Sequence, residues 1–201
     1  ILSEIISSER IIVIPKTIYP WKESELQYYE RSGIFMGDVA KFIDPYLTPD
    51  AELIINRLKQ EFRCQITFVS QYKTKKLPRY LKKCKILPHS TEIDKQIAKH
   101  RLYLHANRFC TFEMMPVEAM SSGTPVCYID MPQSLNSYIG QAGLKFDNIE
   151  EMLWSVRKIY NSEDTWKALN RAGLAKGGSF GYTESAVNLA KTIETVIRRG
   201  G

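Results

Sequence analysis

Two stretches of the sequence carry residues able to do chemistry. The first is Phe112-Glu113-Met114-Met115-Pro116-Val117-Glu118-Ala119-Met120-Ser121-Ser122-Gly123-Thr124-Pro125-Val126. It reads as a short polar link, a small helix, a Gly stop at Gly123 and the start of a strand. The first turn of that helix offers N–H groups without intrahelical partners and a partial positive charge, which suit a phosphate. Glu118 stands near that turn and can accept hydrogen bonds from ligand hydroxyls. On spacing alone, a lone Glu there is more often a capping or dipole partner. Met114, Met115 and Met120 at helical spacing read as core. The second stretch is Gly33-Ile34-Phe35-Met36-Gly37-Asp38, an apolar run whose Gly37 would let a ligand come close to the backbone. Other chemistries lack their residues. No Gly-x4-Gly-Lys-Ser/Thr or Gly-x-Gly-x-x-Gly run is present, and no Ser-His-Asp or Cys-His set. Cys64, Cys84, Cys110 and Cys127 are scattered without paired metal spacing, so they read as reduced thiols and no metal site is expected.

The elements that must position these groups alternate. Apolar runs at Arg10–Pro15, Gly33–Asp38, Gln65–Val69, Cys84–His89, Arg101–Ala106, Val126–Ile129 and Ala142–Phe146 read as strands. Between them, Pro49–Arg63 reads as an amphipathic helix. Leu53, Ile54, Leu58 and Phe62 form its stripe, and Thr48 or Asp50 sits at its start. Ser90-Thr91-Glu92 reads as the cap of a helix running toward His100. Ile149–Tyr160, Asp164–Ala175 and Thr183–Arg199 read as further helices, with a glycine turn at Gly177–Tyr182. Strands alternating with helices predict an α/β fold: a Rossmann-like, doubly wound parallel sheet flanked by helices. In such sheets ligands bind beyond the carboxyl ends of the strands. His105 ends a buried strand and reads as structural.

The run Pro116-Val117-Glu118-Ala119-Met120-Ser121-Ser122-Gly123-Thr124-Pro125-Val126 resembles the donor-site helix of retaining GT-B glycosyltransferases, the glycogen-synthase-like and family 4 group. Their pattern is roughly Glu-x-Phe-Gly-x4-Glu-Ala-Met-Ala-x-Gly-x-Pro-Val. Phe112, Glu118, Ala119, Met120, Gly123, Pro125 and Val126 match it. The resemblance implies one half of a GT-B fold, the C-terminal, donor-binding half, over about Gly33 to Ile197. Residues 1–31 would then end a preceding domain or linker, and 32–201 would form the nucleotide-sugar-binding domain. It implies transfer of a hexosyl unit from a nucleoside diphosphate sugar of the UDP or GDP type, with retention and no further cofactor. Glu118 would hold the ribose. Gly37, His89, Asn107, Arg108, Phe112 and Met114 would line the donor site, and Lys41 would meet the diphosphate. Several positions depart from the pattern: Cys110 stands where the family has its first Glu, Glu113 where it has Gly, and Asp38 and Ile43 where it has the phosphate-binding Arg and Lys. Under the resemblance Glu113, by a local shift, would be the substitute carboxylate for the sugar, and with Lys41 would form the expected catalytic pair. Two alternatives stay open: a non-catalytic Rossmann-like binding or assembly module with a degraded donor site, and a nucleotide-sugar epimerase relative.

The chain has 201 residues and a net charge of +6, which favours phosphate-bearing or polyanionic partners without identifying one. The acceptor expected from the resemblance is a carbohydrate, lipid-linked or protein group. Lys73, Lys75, Lys76, Arg79, Lys82, Lys83 and Lys85 interleave with Tyr72 and Tyr80. The plain reading is a solvated surface helix. A peripheral contact with the membrane would use the same charge, and nucleic acid is not expected as a partner. No apolar run approaches the roughly 20 residues of a membrane span and no signal peptide is visible, so a cytoplasmic protein is expected, able to work at the inner face of the membrane. The chain opens on Ile1-Leu2-Ser3 without a Met. It is expected to be a fragment whose acceptor-binding half is missing, and therefore inactive alone.

Overall fold

A computed structural model describes residues 26–70, 76–90, 92–108, 113–129 and 135–180, with scattered helical positions between 186 and 198. Among the described residues six strands form one sheet: β1 (Ile34–Asp38), β2 (Ile66–Ser70), β3 (Lys85–Pro88), β4 (Leu102–His105), β5 (Val126–Ile129) and β6 (Gly143–Phe146). Every pair is parallel, in the order β3-β2-β1-β4-β5-β6. Ile34 pairs with Ile66 on one side and with Leu102 on the other. The inner strands are mostly apolar because helices cover both faces. Ile34, Phe35 and Met36 are at most 1% exposed. The sheet is the α/β, doubly wound Rossmann-like one that the alternation predicts.

The helices are α1 (Ala40–Ile43), α2 (Ala51–Phe62), α3 (Ile93–Ala98), α4 (Met114–Ser121), α5 (Leu135–Tyr138), α6 (Ile149–Asn161) and α7 (Glu163–Gly178). In α2 the buried stripe is Ala51, Ile54, Ile55 and Leu58, the i, i+3, i+4, i+7 spacing of one helix face. Leu53, expected inward, is 49% exposed, and Ile55 takes its place. Neither Thr48 nor Asp50 caps this helix through its side chain. The Thr48 hydroxyl instead donates to the Lys41 carbonyl (2.9 Å) and contacts the Asn107 side-chain amide (3.1 Å). Glu92, at the start of α3, pairs with Lys95 rather than capping. The genuine caps are Asn148 and Ser162, whose side chains accept from the Glu151 and Thr165 N–H groups.

Two further expectations change. The described part of the basic stretch holds a single 3-10 turn, Arg79–Leu81, and not a helix; Pro78 opens it and the strand β3 follows within four residues. Gly177 and Gly178 do not turn the chain but end α7. Gly177 is there for packing. A Cβ on it would stand 2.6 Å from Ser121 Oγ and 2.7 Å from the Ser121 backbone N, so α7 can lie against α4 only without a side chain. Gly177→Ala should lower stability by about 2 kcal/mol, an overpacking cost, or roughly 4–8 °C for a domain of this size. Gly178→Ala meets nothing within 4 Å and should be neutral or slightly stabilising. Thermal unfolding of the two variants side by side checks this, and equal midpoints would contradict it.

Arg10–Pro15 and Asp130–Ser134 lie outside the described residues, as does most of Thr183–Arg199. Among the described residues no helix is long and apolar enough to cross a membrane.

Candidate functional site

The strand order reverses direction between β1 and β4, and the chain leaves their carboxyl ends toward opposite faces of the sheet. A crevice opens at such a switch point. Here it is a cavity of about 370 Å³ lined by Asp38, Lys41, His89, Ile93, Tyr103, Asn107, Glu113, Met114, Met115 and Glu118. The structure thus brings together Lys41, His89, Asn107, Glu113, Met114 and Glu118, six of the nine residues singled out from the sequence.

Helix α4 supplies most of the wall. Glu113 precedes it in an extended conformation, and its N–H donates to the Tyr138 hydroxyl (3.3 Å). The Met114 and Met115 N–H groups have no intrahelical acceptor by helix geometry, and Pro116 in the third position has no N–H to leave unpaired. The helix ends as the sequence predicts. Gly123 has φ +72°, its N–H donates to the Met120 carbonyl, and the Thr124 N–H reaches back to Ala119 (2.8 Å).

Glu118 lies in the second turn of α4, one turn further in than the sequence suggests. It is half-buried and its carboxylate has no hydrogen-bond partner among the described residues. Burial, with the Asp94 carboxylate of α3 as a second cause, pushes its carboxyl up to about 7. A ligand offering hydroxyl protons would relieve that state.

Across the cavity, Lys41 of α1 forms an ion pair with Glu113. Two residues 72 positions apart thus close over the α4 N-terminus. Asp38, at the end of β1, turns its carboxylate onto the Ala40 N–H (2.9 Å). Gly37 has φ +83°. A Cβ there would stand 2.9 Å from the Tyr103 hydroxyl, so the glycine serves the approach of β1 to β4 and α4 as well as any ligand. His89 is exposed at the rim, and its N–H donates to the Ser70 carbonyl (2.9 Å). His105 is the buried structural residue expected: it stacks near Tyr103, and burial and the Lys41 charge hold its imidazole down to about 3, hence neutral.

Arg108 is outside this cavity. Its guanidinium pairs with Asp50 (2.9 Å) at a smaller depression on the α2–α6 side. Phe112 and Cys110 lie outside the described residues. Tyr103, Ile93, Met115 and Asp94 are the site residues that the sequence does not reveal. Tyr103 could have been suggested by its place in β4 beside His105; nothing local links Asp94 to Glu118. Among the described residues no cluster of His, Cys, Asp and Glu is suited to a metal ion.

No family model matches the chain, and no curated protein matches it. Solved structures do. TarM superposes with a TM-score of 0.73 at 13% identity, over 94% of this chain and 39% of TarM. The pneumococcal O-GlcNAc transferase GtfA, in complex with UDP and GlcNAc, gives 0.69 at 17% identity, over 92% of this chain and 40% of GtfA. WaaG, a glycosyltransferase involved in lipopolysaccharide biosynthesis, gives 0.67 at 16% identity, over 90% of this chain and 57% of WaaG. The fold is that of one GT-B half. This chain spans between about two fifths and just over half of the length of these relatives. In the GT-B half described here, the cavity at the switch point is walled by the glycine-terminated helix that the sequence singles out.

Proposed function

We propose that this chain is the C-terminal, donor-binding half of a retaining GT-B glycosyltransferase of the family 4 and glycogen-synthase-like group. It would move a hexosyl unit from a nucleoside diphosphate sugar to a carbohydrate, lipid-linked or protein acceptor. The observation that carries this reading is Glu118, half-buried in the switch-point cavity with no protein partner among the described residues. In this role Glu118 accepts from the ribose hydroxyls. The Met114 and Met115 N–H groups and Lys41 face the diphosphate, where charge develops as the sugar departs. Glu113 exchanges Lys41 for the sugar hydroxyls when the diphosphate takes the ammonium. Asn107, fixed through Thr48, sits between β4 and α1 within reach of the same ligand.

The charge of the cavity favours a second reading. Asp38, Glu113 and Glu118 face one lysine, and an excess of carboxylates opposes a diphosphate. That balance suits a non-catalytic binding module.

Thermal unfolding against UDP, GDP, ADP and their hexose conjugates separates the two. Ligand at about 100 times its dissociation constant adds roughly 2.7 kcal/mol, a rise of about 5–10 °C for a chain of this size. A base-selective rise is expected. Glu113→Gln should tighten binding of the bare diphosphate several-fold, because it frees Lys41 and removes a negative charge from the helix N-terminus. It should also abolish the extra affinity that the hexose conjugate shows. No shift with any nucleotide would leave the binding-module reading in its place.

A further inference from the structure

The net charge of this protein has a single source. Between Gln71 and Thr91 the sequence has seven of the 28 basic residues and none of the 22 acidic ones, so the rest of the chain carries 21 positive against 22 negative charges. The structure puts the described part of that stretch on one border of the molecule. Among the described residues, strand β3 is the outer strand of the sheet, with β2 as its neighbour. Lys76, Arg79, Lys82, Lys83 and Lys85 are all exposed. None of the five is paired with a carboxylate of the described residues. Apolar side chains on the inner side hold the segment in place. Leu81 is fully buried, Leu77 packs on the core, and the Tyr80 hydroxyl donates to the Phe42 carbonyl (2.7 Å) while Lys59 donates to the Tyr80 carbonyl (2.8 Å). Of the α2 carboxylates that could offset the charge, Glu61 is taken by Arg157, and Glu52 acts on the Tyr80 hydroxyl.

We infer that this sheet border is a docking face for an anionic lipid surface. A charged edge strand guards against edge-to-edge pairing, but one or two lysines suffice for that. The five exposed cations of the described part, none paired with an acid of the described residues, exceed it. A nucleic acid would look for aromatic platforms or a groove, and Tyr80, the aromatic of the described part of the stretch, is tied into the core by its hydroxyl bond. A bilayer needs only charge spread over a border, each cation near the surface contributing about five-fold to partitioning. Strand β3 runs from this border to His89 at the rim of the switch-point cavity, so docking there would bring the cavity mouth next to the lipid. The docking itself does not rest on the proposed donor chemistry.

The test is sedimentation of the 201-residue chain with phosphatidylcholine vesicles with and without about 30% phosphatidylglycerol, at roughly 0.1 M salt. Binding to the anionic vesicles alone is expected, weakening as salt rises. Lys76→Gln/Arg79→Gln/Lys82→Gln/Lys83→Gln should lower the partition coefficient by about a hundredfold or more, with an unchanged unfolding midpoint. A control, Lys145→Gln/Lys158→Gln/Arg171→Gln/Lys176→Gln, removes as much charge from β6, α6 and α7 and should lower it far less. Equal losses in both variants would mean a general charge effect and overturn the docking face. So would a chain that ignores the vesicles, and one that instead binds a single-stranded oligonucleotide through the same four residues. The response of the chain to UDP is measured in parallel, so the failure of this inference is distinguishable from failure of the donor-site reading.

Discussion

At pH 8, Glu118→Gln is expected to unfold at a higher temperature than the unsubstituted chain and to lose most of its response to a nucleoside diphosphate sugar. The two effects have one cause. Burial and the Asp94 carboxylate push the Glu118 carboxyl from 4.5 up to about 7. The folded chain therefore holds this proton more tightly than the unfolded chain. Between about pH 4.5 and 7 folding takes up a proton, so the Glu118 contribution to stability falls as pH rises through that window. It is fully lost above it. The lost stability is about 2–3 kcal/mol, or roughly 5–10 °C. A neutral amide removes this dependence, so the two chains should differ at pH 8 and converge near pH 4.5. Binding goes the other way. A hydrogen bond from a ligand hydroxyl to a carboxylate is worth about 1.5–3 kcal/mol, so affinity should fall at least about tenfold. Glu118→Ala should lower it further. A variant less stable than the parent at pH 8, with undiminished affinity, would remove Glu118 from the site.

Arg31→Leu should destabilise the fold more than any substitution in the cavity. Arg31 is 0% exposed. Its Nε donates to the Leu26 carbonyl (3.0 Å), and Nη1 to the Gly123 carbonyl (2.9 Å) and the Thr124 hydroxyl (3.0 Å). Its guanidinium lies 5.0 Å from the centre of the Trp166 ring. The group satisfies carbonyls at the C-terminus of α4, the negative end of the helix dipole. Leucine would remove all of these donors and the guanidinium contact with Trp166, leaving the Gly123 carbonyl to Asn170 alone, at a cost of about 3–5 kcal/mol, a fall of roughly 10 °C or more. Arg31→Lys should recover little, because a single ammonium cannot span three acceptors set in the plane of a fork. Denaturant unfolding of the pair checks this. A loss under about 1 kcal/mol for Arg31→Leu would show that water replaces the guanidinium.

The strands, their parallel arrangement and the glycine end of α4 were legible because each has a local signature. A strand covered on both faces is a continuous apolar run, as in Leu102–Leu104 and Val126–Ile129. Gly123 stands at φ +72°, a conformation that other residues rarely adopt. These signals lie within about ten residues of chain, and they sufficed for the α/β class and for the helix that walls the cavity. Pairings between distant residues were not legible. Lys41 meets Glu113 across 72 positions, Arg108 leaves the cavity for Asp50 across 58, and Asp94 acts on Glu118 from another helix. Arg31 looks like the end of a polar linker until Trp166, Gly123 and Thr124 are seen around it. Gly177 looks like a turn until Ser121 is found against it. The sequence by itself determined the six described strands and the longer helices between them, since burial period and backbone freedom are properties of the segment. Only the tertiary structure decided which charges face one another, because a partner's distance depends on the packing of the whole sheet.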